Sequence, residues 1–238
     1  MANPIVTITM DNGDVMKAEL YPEIAPNTVN YKKTHSQTLL PMLDELAKMT
    51  ELDLDSVDAI AVAAGPGSFT GLRIGSATAK GLGLALKKPL VEIPTVDALA
   101  YNLYDAKGLI CPIMDARRNQ VYTGIYRFEE HQLVTVEGQM AVPMTELIGK
   151  LNERGEEVIF LGDGVPVFAQ TIAENLKVPY SFAPAHVNKQ RAAAVAALGE
   201  LYVKEGKTVT AMEHVPEYLR VSQAERERAQ RLKEEGKA

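Results

Sequence analysis

The stretch Ala59 to Leu86, AIAVAAGPGSFTGLRIGSATAKGLGLAL, decides the fold class of this chain. Residues 59–64 form a continuous apolar run that ends at Gly-Pro-Gly, as expected for a strand buried on both faces. The residues that follow are helical in period, although they include four glycines. The next apolar run, PLVEI, predicts a second strand. Together these segments form a strand-helix-strand unit, which is typical of a parallel sheet.

The glycine-rich turn between this strand and helix lies where nucleotide phosphates bind in many α/β proteins. A phosphate loop ends in Gly-Lys-Ser/Thr, because the lysine neutralises phosphate oxygens and the hydroxyl ligates magnesium. Here the corresponding end is Gly71-Leu72-Arg73. A dinucleotide fingerprint requires a third glycine where this chain has Thr70. Neither motif matches, and Ser68 instead suits the N-cap of the helix.

The glycines of this helix have a mechanical explanation. Gly71, Gly75 and Ala79 follow one another at intervals of one turn and form a face that another backbone can approach closely. A glycine inside a helix costs about 0.5–1 kcal/mol relative to alanine, so several of them indicate tight packing. We favour a close-packing or subunit-contact face, with packing inside the lobe alone and a ligand phosphate as the alternatives.

Composition and charge narrow the class of protein. The chain has 238 residues, 46% of them hydrophobic, which suffices for one large domain or two small lobes. Its net charge of −6 gives no general attraction for nucleic acid. The single cysteine, Cys111, excludes an intramolecular disulfide and fits a reducing compartment. Since neither a secretory leader nor an apolar run of about 20 residues is present, we expect a cytoplasmic protein without a membrane span.

The segments before the glycine-rich helix predict a hairpin and a helix. Residues 5–20 alternate between apolar and polar on both sides of Asn12-Gly13, a dipeptide typical of hairpin turns. A helix is predicted from an N-cap at Thr34, with Pro41 marking a kink or a late start. Its apolar positions at helical spacing are Leu39, Leu43 and Leu46.

The second half of the chain repeats the theme. Thr95 is expected to cap a helix that ends near Tyr104, and residues 109–128 predict two strands around a polar turn. Residues 156–164 predict a further strand and turn, followed by a helix with apolar positions Phe168, Ile172 and Leu176. An alanine-rich helix is predicted from Asn188 to Gly206. A boundary near residues 95–108 is inferred from the restart of the pattern with a hairpin.

Five motifs in order resemble those of the TsaB (YeaZ) family over about residues 31–220. They are HSQTLLPMLDEL (35–46), AVAAGPGSFTGLRIGSATAKGLGLAL (61–86), DARRNQVY (115–122), GDG (162–164) and YLR (218–220). Because they span about four-fifths of the chain in the same order, the resemblance is specific. It implies an α/β fold of the two-lobed actin-like and Hsp70-like (ASKHA) class.

The same resemblance implies a function. Members of this family are non-catalytic subunits of the bacterial machinery that forms threonylcarbamoyladenosine beside the anticodon of tRNA. The catalytic TsaD subunit transfers the threonylcarbamoyl group, the ATPase TsaE joins, and the TsaB-type subunit docks on TsaD through helices that also support homodimers. Contact with tRNA is therefore expected only within the complex, and no cofactor is implied. The interface positions that the resemblance implies are His35, Leu39, Leu43, Gly71, Leu72, Arg73, Gly75, Thr78, Ala79 and Leu82.

The first 30 residues depart from that family. They resemble the opening of a bacterial cyclophilin-type peptidyl-prolyl isomerase, so we expect a chimera joined near Asn30. The family's opening strand with its AIDTS-like end is not visible, which leaves the first lobe less defined than the second. Pro26 and Asn27 favour a turn or helix start over a third strand, and Thr7 and Thr9 suit a half-exposed strand. Isomerase activity is not expected, because the catalytic arginine and aromatic pocket of that family have no counterpart here.

These observations give a predicted division of the chain. Residues 1–30 form the cyclophilin-like hairpin segment, and residues 31–96 form the rest of the first lobe with its interface helices. Residues 97–220 form the second lobe, whose late helix can cross back to the first lobe. Residues 221–238 are an almost wholly polar tail, typical of a solvated helix or a disordered segment.

Other constellations that carry chemistry are weak. The four histidines lie far apart in sequence and none has a second ligand at helical spacing, so no metal site is predicted. Asp115, Arg117 and Arg118 lie on the predicted turn, where local ion pairs are favoured and contact with a ligand or tRNA is the alternative. Asp163, between two glycines, is interpreted as a plain turn residue.

No residue therefore fits a catalytic role, and two alternatives to the binding subunit remain. One is an ATP-binding enzyme of the same fold, which needs a phosphate-gripping strand and turn at the start of the chain. The other is a chimera that has lost the first lobe and retains no activity.

Overall fold

The structure is a computed structural model that describes the backbone of residues 5–10, 16–21, 27–29 and 35–220, and the side chains of residues 37–220. Its strands form two five-stranded sheets, one for each lobe. The predicted hairpin turn at Asn12-Gly13, the N-cap at Thr34 and the polar tail lie outside the described residues.

The first-lobe sheet contains the predicted hairpin and the two strands that flank the glycine-rich helix. Its strand order is β3-β2-β1-β4-β5. Strand β1 pairs antiparallel with β2 and parallel with β4, where Ile5 lies opposite Ala59. Strands β4 and β5 are also parallel, which confirms the predicted strand-helix-strand unit. The strands are β1 (Ile5–Met10), β2 (Met16–Tyr21), β3 (Asn27–Val29), β4 (Ala59–Gly65) and β5 (Leu90–Pro94).

One expectation for the opening segment is corrected. Asn27 begins strand β3 rather than a turn or helix, and this strand pairs antiparallel with β2. The reason is pairing, because the edge of β2 offers backbone hydrogen bonds that local propensity does not register. Strand β1, which carries Thr7 and Thr9, is the central strand in the sheet order, and the exposure of these two side chains lies outside the described residues. The sheet is thus completed by the segment that resembles a different family.

Three helices alternate with the first-lobe strands, one after each of β3, β4 and β5. They are α1 (His35–Met49), α2 (Phe69–Leu86) and α3 (Thr95–Tyr101). Helix α1 contains Pro41 in its interior. Ser68 directly precedes α2, and its hydroxyl accepts a hydrogen bond from the Gly71 amide at 3.4 Å. The predicted N-cap role of Ser68 is confirmed. Thr95 is the first residue of α3 rather than its cap, and this helix ends at Tyr101, earlier than predicted.

The second-lobe sheet repeats the topology of the first. Its order is β10-β9-β6-β7-β8, with β6 antiparallel to β7 and parallel to β9. The predicted pair of strands around a polar turn is confirmed, whereas β8, α4 and β10 were not predicted. The elements are β6 (Leu109–Asp115), β7 (Gln120–Glu129), β8 (Gln132–Pro143), α4 (Met144–Arg154), β9 (Val158–Leu161), α5 (Val165–Asn175) and β10 (Tyr180–Phe182).

The last helix, α6 (Ala192–Lys204), returns to the first lobe. It contacts β1, β2, β4 and β5, and its Val195 and Leu198 belong to the apolar cluster of that sheet. The helix begins four residues after the predicted start at Asn188, because the Asn188 side chain and carbonyl accept hydrogen bonds from the Gly162 amide. At Gly199 an added methyl group would lie 2.9 Å from the Ala61 methyl, so this glycine allows a close approach of helix to sheet.

The cores of the two lobes differ in side-chain size. The cluster between α6 and the first-lobe sheet includes Ala59, Ala61, Ala63 and Ala98. The main cluster of the second lobe contains Phe160 and many leucines and isoleucines, with Leu176 packed at the end of α5. Among the described residues, no helix has the length and apolar character that crossing a membrane requires.

Candidate functional site

The glycine-rich loop after β4 lies against a segment of the same chain, Glu217–Arg220, which we term the closing segment. The Glu217 amide donates a hydrogen bond to the Ala64 carbonyl oxygen at 2.7 Å. At the other end, the Arg220 guanidinium donates to the carbonyl oxygen of Ala116 in the turn between β6 and β7. Leu219 packs against the second-lobe cluster. The closing segment therefore connects the loop of the first lobe with the turn of the second.

Gly65 is required at this loop by the closing segment. Its φ is +134°, and a methyl group added there would overlap the Glu217 carbonyl oxygen. The ring of Tyr218 stacks on Phe69, with centroids 4.7 Å apart, and the Tyr218 hydroxyl accepts a hydrogen bond from Arg73 Nε at 3.4 Å. Between the loop and the closing segment, the described residues leave no space for a water-sized molecule. The loop thus contacts peptide of the same chain.

The residues leading into the closing segment are fastened along the first lobe. Val209 forms an isolated bridge with Leu90 of the edge strand β5. His214 is fully buried, and its Nδ1 lies 2.6 Å from Glu92 Oε1. Lys80 of α2 donates a hydrogen bond to the His214 carbonyl oxygen at 2.7 Å. These contacts hold residues 209–215 in place before the chain reaches the loop.

The turn between β6 and β7 is stabilised by local contacts. Asp115 Oδ1 accepts a hydrogen bond from the Arg117 amide at 2.8 Å, and Asp115 Oδ2 pairs with the Arg117 guanidinium at 3.1 Å. Asp163 Oδ1 accepts from the Asp115 amide at 3.3 Å, which links this turn to the loop after β9. Arg118 is exposed. Contact of Asp115, Arg117 and Arg118 with a ligand or tRNA stays a prediction, because the observed contacts are explained by the turn itself.

The predicted partner-interface residues divide by burial. Five are buried in the free chain: Leu39, Gly71, Leu72, Gly75 and Ala79. Ala79 and Leu39 belong to one apolar cluster with Ile60 and Leu90. The glycine face of α2 therefore packs inside the free chain, and its role as a partner contact stays a prediction. Leu43, Thr78 and Leu82 are half-buried and Arg73 is exposed, while the side chain of His35 lies outside the described residues.

An apolar groove of about 160 Å³ runs between the outer sides of α1 and α2. Leu40 of α1 and Leu54 of the following turn are 53% and 41% exposed. The other apolar residues that line it are Leu43, Leu46, Ala47, Leu52, Ile60, Leu82 and Leu86. Gly81 lies on the exposed side of α2, where an added methyl group would meet open space. We term the groove together with the exposed side of α2 the α1–α2 face.

The α1–α2 face and the closing segment contain residues that the sequence patterns did not single out. Leu40 lies within the first predicted helix and Leu86 at the end of the glycine-rich one, and apolar residues of helices are commonly assigned to the core. Tyr218 was noted only within the YLR motif. An aromatic residue in an otherwise polar stretch was the available signal, but its partner Phe69 lies 149 positions earlier in sequence.

Comparison with known proteins shows what the chain is similar to. The profile described as "TsaD: tRNA N6-adenosine threonylcarbamoyltransferase" matches residues 21–228. The tRNA threonylcarbamoyladenosine biosynthesis protein TsaB of Bacillus subtilis (strain 168) is 35% identical over 202 residues, covering 85% of this chain and 86% of that protein. The chain belongs to the TsaB (YeaZ) family. The TsaB protein of Escherichia coli K12 is 30% identical over 56% of this chain and 58% of its own length.

Solved structures of YeaZ proteins show the same fold. YeaZ from Pseudomonas aeruginosa superposes with a TM-score of 0.71 at 22% identity, over 92% of this chain and 100% of that chain. The polyphosphate/ATP-glucomannokinase of Arthrobacter sp. strain KM gives a TM-score of 0.51 at 15% identity, over 85% of this chain and 100% of that one. The two-lobed actin-like fold predicted from the resemblance is confirmed. The family match begins at residue 21, and the chimeric origin of the first 30 residues stays a hypothesis.

Proposed function

We propose that the chain is a cytoplasmic, non-catalytic subunit in the biosynthesis of tRNA threonylcarbamoyladenosine, and that it docks on a TsaD-type transferase through the α1–α2 face. The single observation that carries the docking proposal is the apolar groove with Leu40 and Leu54 exposed at its edges. Membership of the TsaB family supports the pathway. The glycine-rich loop is packed against the closing segment, which favours a non-catalytic role for the chain.

The chemistry of the α1–α2 face suits a protein partner. Large exposed apolar side chains grouped around a groove are typical of interaction sites. Burying a leucine side chain contributes about 1.5–3 kcal/mol, so the exposed leucines alone supply a useful part of a binding energy. Gly81 on the exposed side of α2 lets a partner helix come close to the α2 backbone, since no described atom lies within 4 Å of the position its Cβ would take.

A TsaD-type transferase is the partner that fits the rest of the molecule. The closing segment occupies the space beside Gly65, so the glycine-rich loop has no room for a nucleotide phosphate. The net charge of −6 favours contact with tRNA only through the complex. A TsaE-type ATPase would then join the assembly rather than bind this face alone.

The test is binding of the full chain to a TsaD-type subunit of a related bacterium, measured by calorimetry and by light scattering after size exclusion. We expect a heterodimer, and we expect Gly81→Arg to weaken it at least tenfold. The arginine projects into open space in the free chain, so its effect arises at the interface. Gly149→Arg is the matched control, because Gly149 lies within α4 of the second lobe and is equally open.

The outcomes separate the two parts of the proposal. If Gly81→Arg binds as tightly as the unmodified chain, the α1–α2 face is not the docking surface. If the unmodified chain is folded and monodisperse but forms no complex, the subunit role itself is wrong. A homodimer that Gly81→Arg dissociates and that the transferase does not displace would assign the face to self-association instead.

A further inference from the structure

A cavity of about 460 Å³ lies between α3, α6 and the turn that joins β7 to β8, well apart from the α1–α2 face. Its volume falls within the range of small-molecule sites, which commonly lie where lobes meet. Helix α6 packs on the first-lobe sheet, whereas the β7–β8 turn belongs to the second lobe. The lining residues that matter for its chemistry are Asp97, Tyr101, Tyr104, Tyr202, Glu205 and Lys207.

Asp97 brings a carboxylate without a counter-cation to this cavity. Its Oδ1 accepts a hydrogen bond from the Tyr126 hydroxyl at 2.7 Å. Among the ion pairs of the described residues, none includes Asp97. Burial raises the pKa of the Asp97 carboxyl above its ordinary value; the Tyr126 hydrogen bond opposes that rise, and the charge of Glu217 adds to it. A buried carboxylate in this situation is stabilised by any cation that enters the cavity.

Aromatic rings supply a second feature that favours cations. Tyr101 and Tyr104 meet edge to face with centroids 5.8 Å apart. The ring of Tyr202 already holds a cation, because Lys207 Nζ lies 4.7 Å from its centroid. That ammonium is in turn paired with Glu205 at 2.6 Å. Faces of tyrosine rings attract ammonium and guanidinium groups through their electron density, so the walls complement the carboxylate.

We propose that this cavity binds a small organic cation carrying an ammonium or guanidinium group, with its charge between Asp97 and the tyrosine rings. The volume exceeds that of a single lysine or arginine side chain, which favours a free small molecule over the side chain of a docked protein. Anionic ligands are disfavoured, because two carboxylates line the cavity, while its one lysine is paired with Glu205 and its one histidine, His131, with Asp105. This site is independent of transferase docking.

Binding is measured on the full chain by calorimetry and by tyrosine fluorescence, which is unobscured because the chain contains no tryptophan. The probes are spermidine and arginine amide with its α-amino group acetylated, and the equally acetylated citrulline amide serves as its neutral isostere; arginine amide and citrulline amide below are these acetylated forms. We expect one of the two cations to bind at sub-millimolar concentration, and citrulline amide to bind at least tenfold more weakly than arginine amide if guanidinium is preferred. Absence of binding by both cations would overturn the proposal, as would equal binding of both isosteres with no binding of spermidine.

Three variants locate the site. Asp97→Asn should weaken the cation at least tenfold, and Lys207→Met should tighten it severalfold, because it removes a competing ammonium from the Tyr202 face. Glu174→Gln is the control, since Glu174 is an exposed carboxylate of α5 that accepts a hydrogen bond from Gln170 at 2.8 Å and does not line the cavity. A folded Asp97→Asn protein that binds as tightly as the unmodified chain would overturn the assignment.

Stability gives Asp97 a signature that a merely structural carboxylate would not show. Its folded pKa lies above the unfolded value, so its stabilising effect is complete below the unfolded pKa and is lost as the pH rises through the folded pKa. At neutral pH the ionised group therefore opposes folding. Asp97→Asn should raise the melting temperature of the free protein at pH 7 while it weakens the cation; a lower melting temperature would indicate a structural role instead. Docking on the transferase should be unchanged, so failure of this proposal is distinguishable from failure of the proposed function.

Discussion

The two lobes have the same strand order and the same succession of strands and helices, but they are built from side chains of different size. In the first lobe the parallel strand β4 presents Ala59, Ala61 and Ala63, and α6 comes close to it. In the second lobe the equivalent strand β9 presents Phe160. The comparison teaches that one topology can be filled in two ways. We expect truncation of buried side chains to destabilise the second lobe, and added methyl groups to destabilise the first.

The largest effect is expected from truncation in the second lobe. Phe160 is fully buried and its ring contacts those of Tyr180 and Phe182, so Phe160→Ala should lower the free energy of unfolding by about 3–5 kcal/mol. The measurement is thiol labelling of Cys111 in increasing urea. This thiol is buried in the same cluster, and burial raises its pKa to about 12, so it reacts only when the lobe opens. A loss below about 1 kcal/mol would contradict a core that depends on large side chains.

A smaller loss is expected from an added methyl group at the glycine-rich loop. Gly65→Ala places a side chain at positive φ and against the Glu217 carbonyl oxygen. Backbone strain and overpacking together should cost about 2–4 kcal/mol, unless the closing segment leaves the loop. Hydrogen exchange of the Glu217 amide distinguishes these results, because that amide is bonded to Ala64 in the native chain.

Gly67→Ala is the control in the same loop, since its methyl group would only touch the Leu72 side chain at 3.6 Å. It should leave both stability and Glu217 exchange nearly unchanged. Equal effects of the two alanines would show that the loop is sensitive to any side chain, and the contact with the closing segment would lose its significance.

The smallest effect is expected at Gly199, where helix propensity favours alanine but the close contact of α6 with β4 disfavours it. A glycine-to-alanine change in a helix gains about 1 kcal/mol, so Gly81→Ala in open space should raise the melting temperature by about 2–4 °C. Gly199→Ala meets the Ala61 methyl at 2.9 Å, and overpacking of about 1–3 kcal/mol should cancel or reverse that gain. Adding Ala61→Gly should restore it. Calorimetric melting of the four proteins checks this, and equal gains at both glycines would refute the small-residue explanation.

The fold was predictable wherever one segment carried its own signal. The hairpin at residues 5–20, the apolar run of β4 and the helical period of α2 were all confirmed by the structure. Strand β3 was not predicted, because three residues beside a proline become a strand only through the edge of β2. Strand β8 was missed for a related reason: it is long but only half-buried, and its pairing with β7 determines it.

The site was predicted less well than the fold, because spacing gives a helix face but not its direction. Gly71, Gly75 and Ala79 do share a face, and in the free chain that face is buried. The exposed surface lies on the other side, around Gly81 and Leu40. Contacts of the closing segment were beyond prediction, since they join Tyr218 to Phe69 and Arg220 to Ala116 across most of the sequence.

The return of α6 to the first lobe has a consequence for how the chain is made. Strand β5 is complete about 100 residues before α6 has been synthesised. At roughly 5–20 residues per second, about 5–20 s pass on the ribosome before the helix that covers β4 is available. During that interval the alanine-rich side of the first sheet has no cover from α6. The first lobe is therefore first in sequence but last to close, and a nascent chain stalled before residue 192 exposes an apolar surface that chaperones recognise.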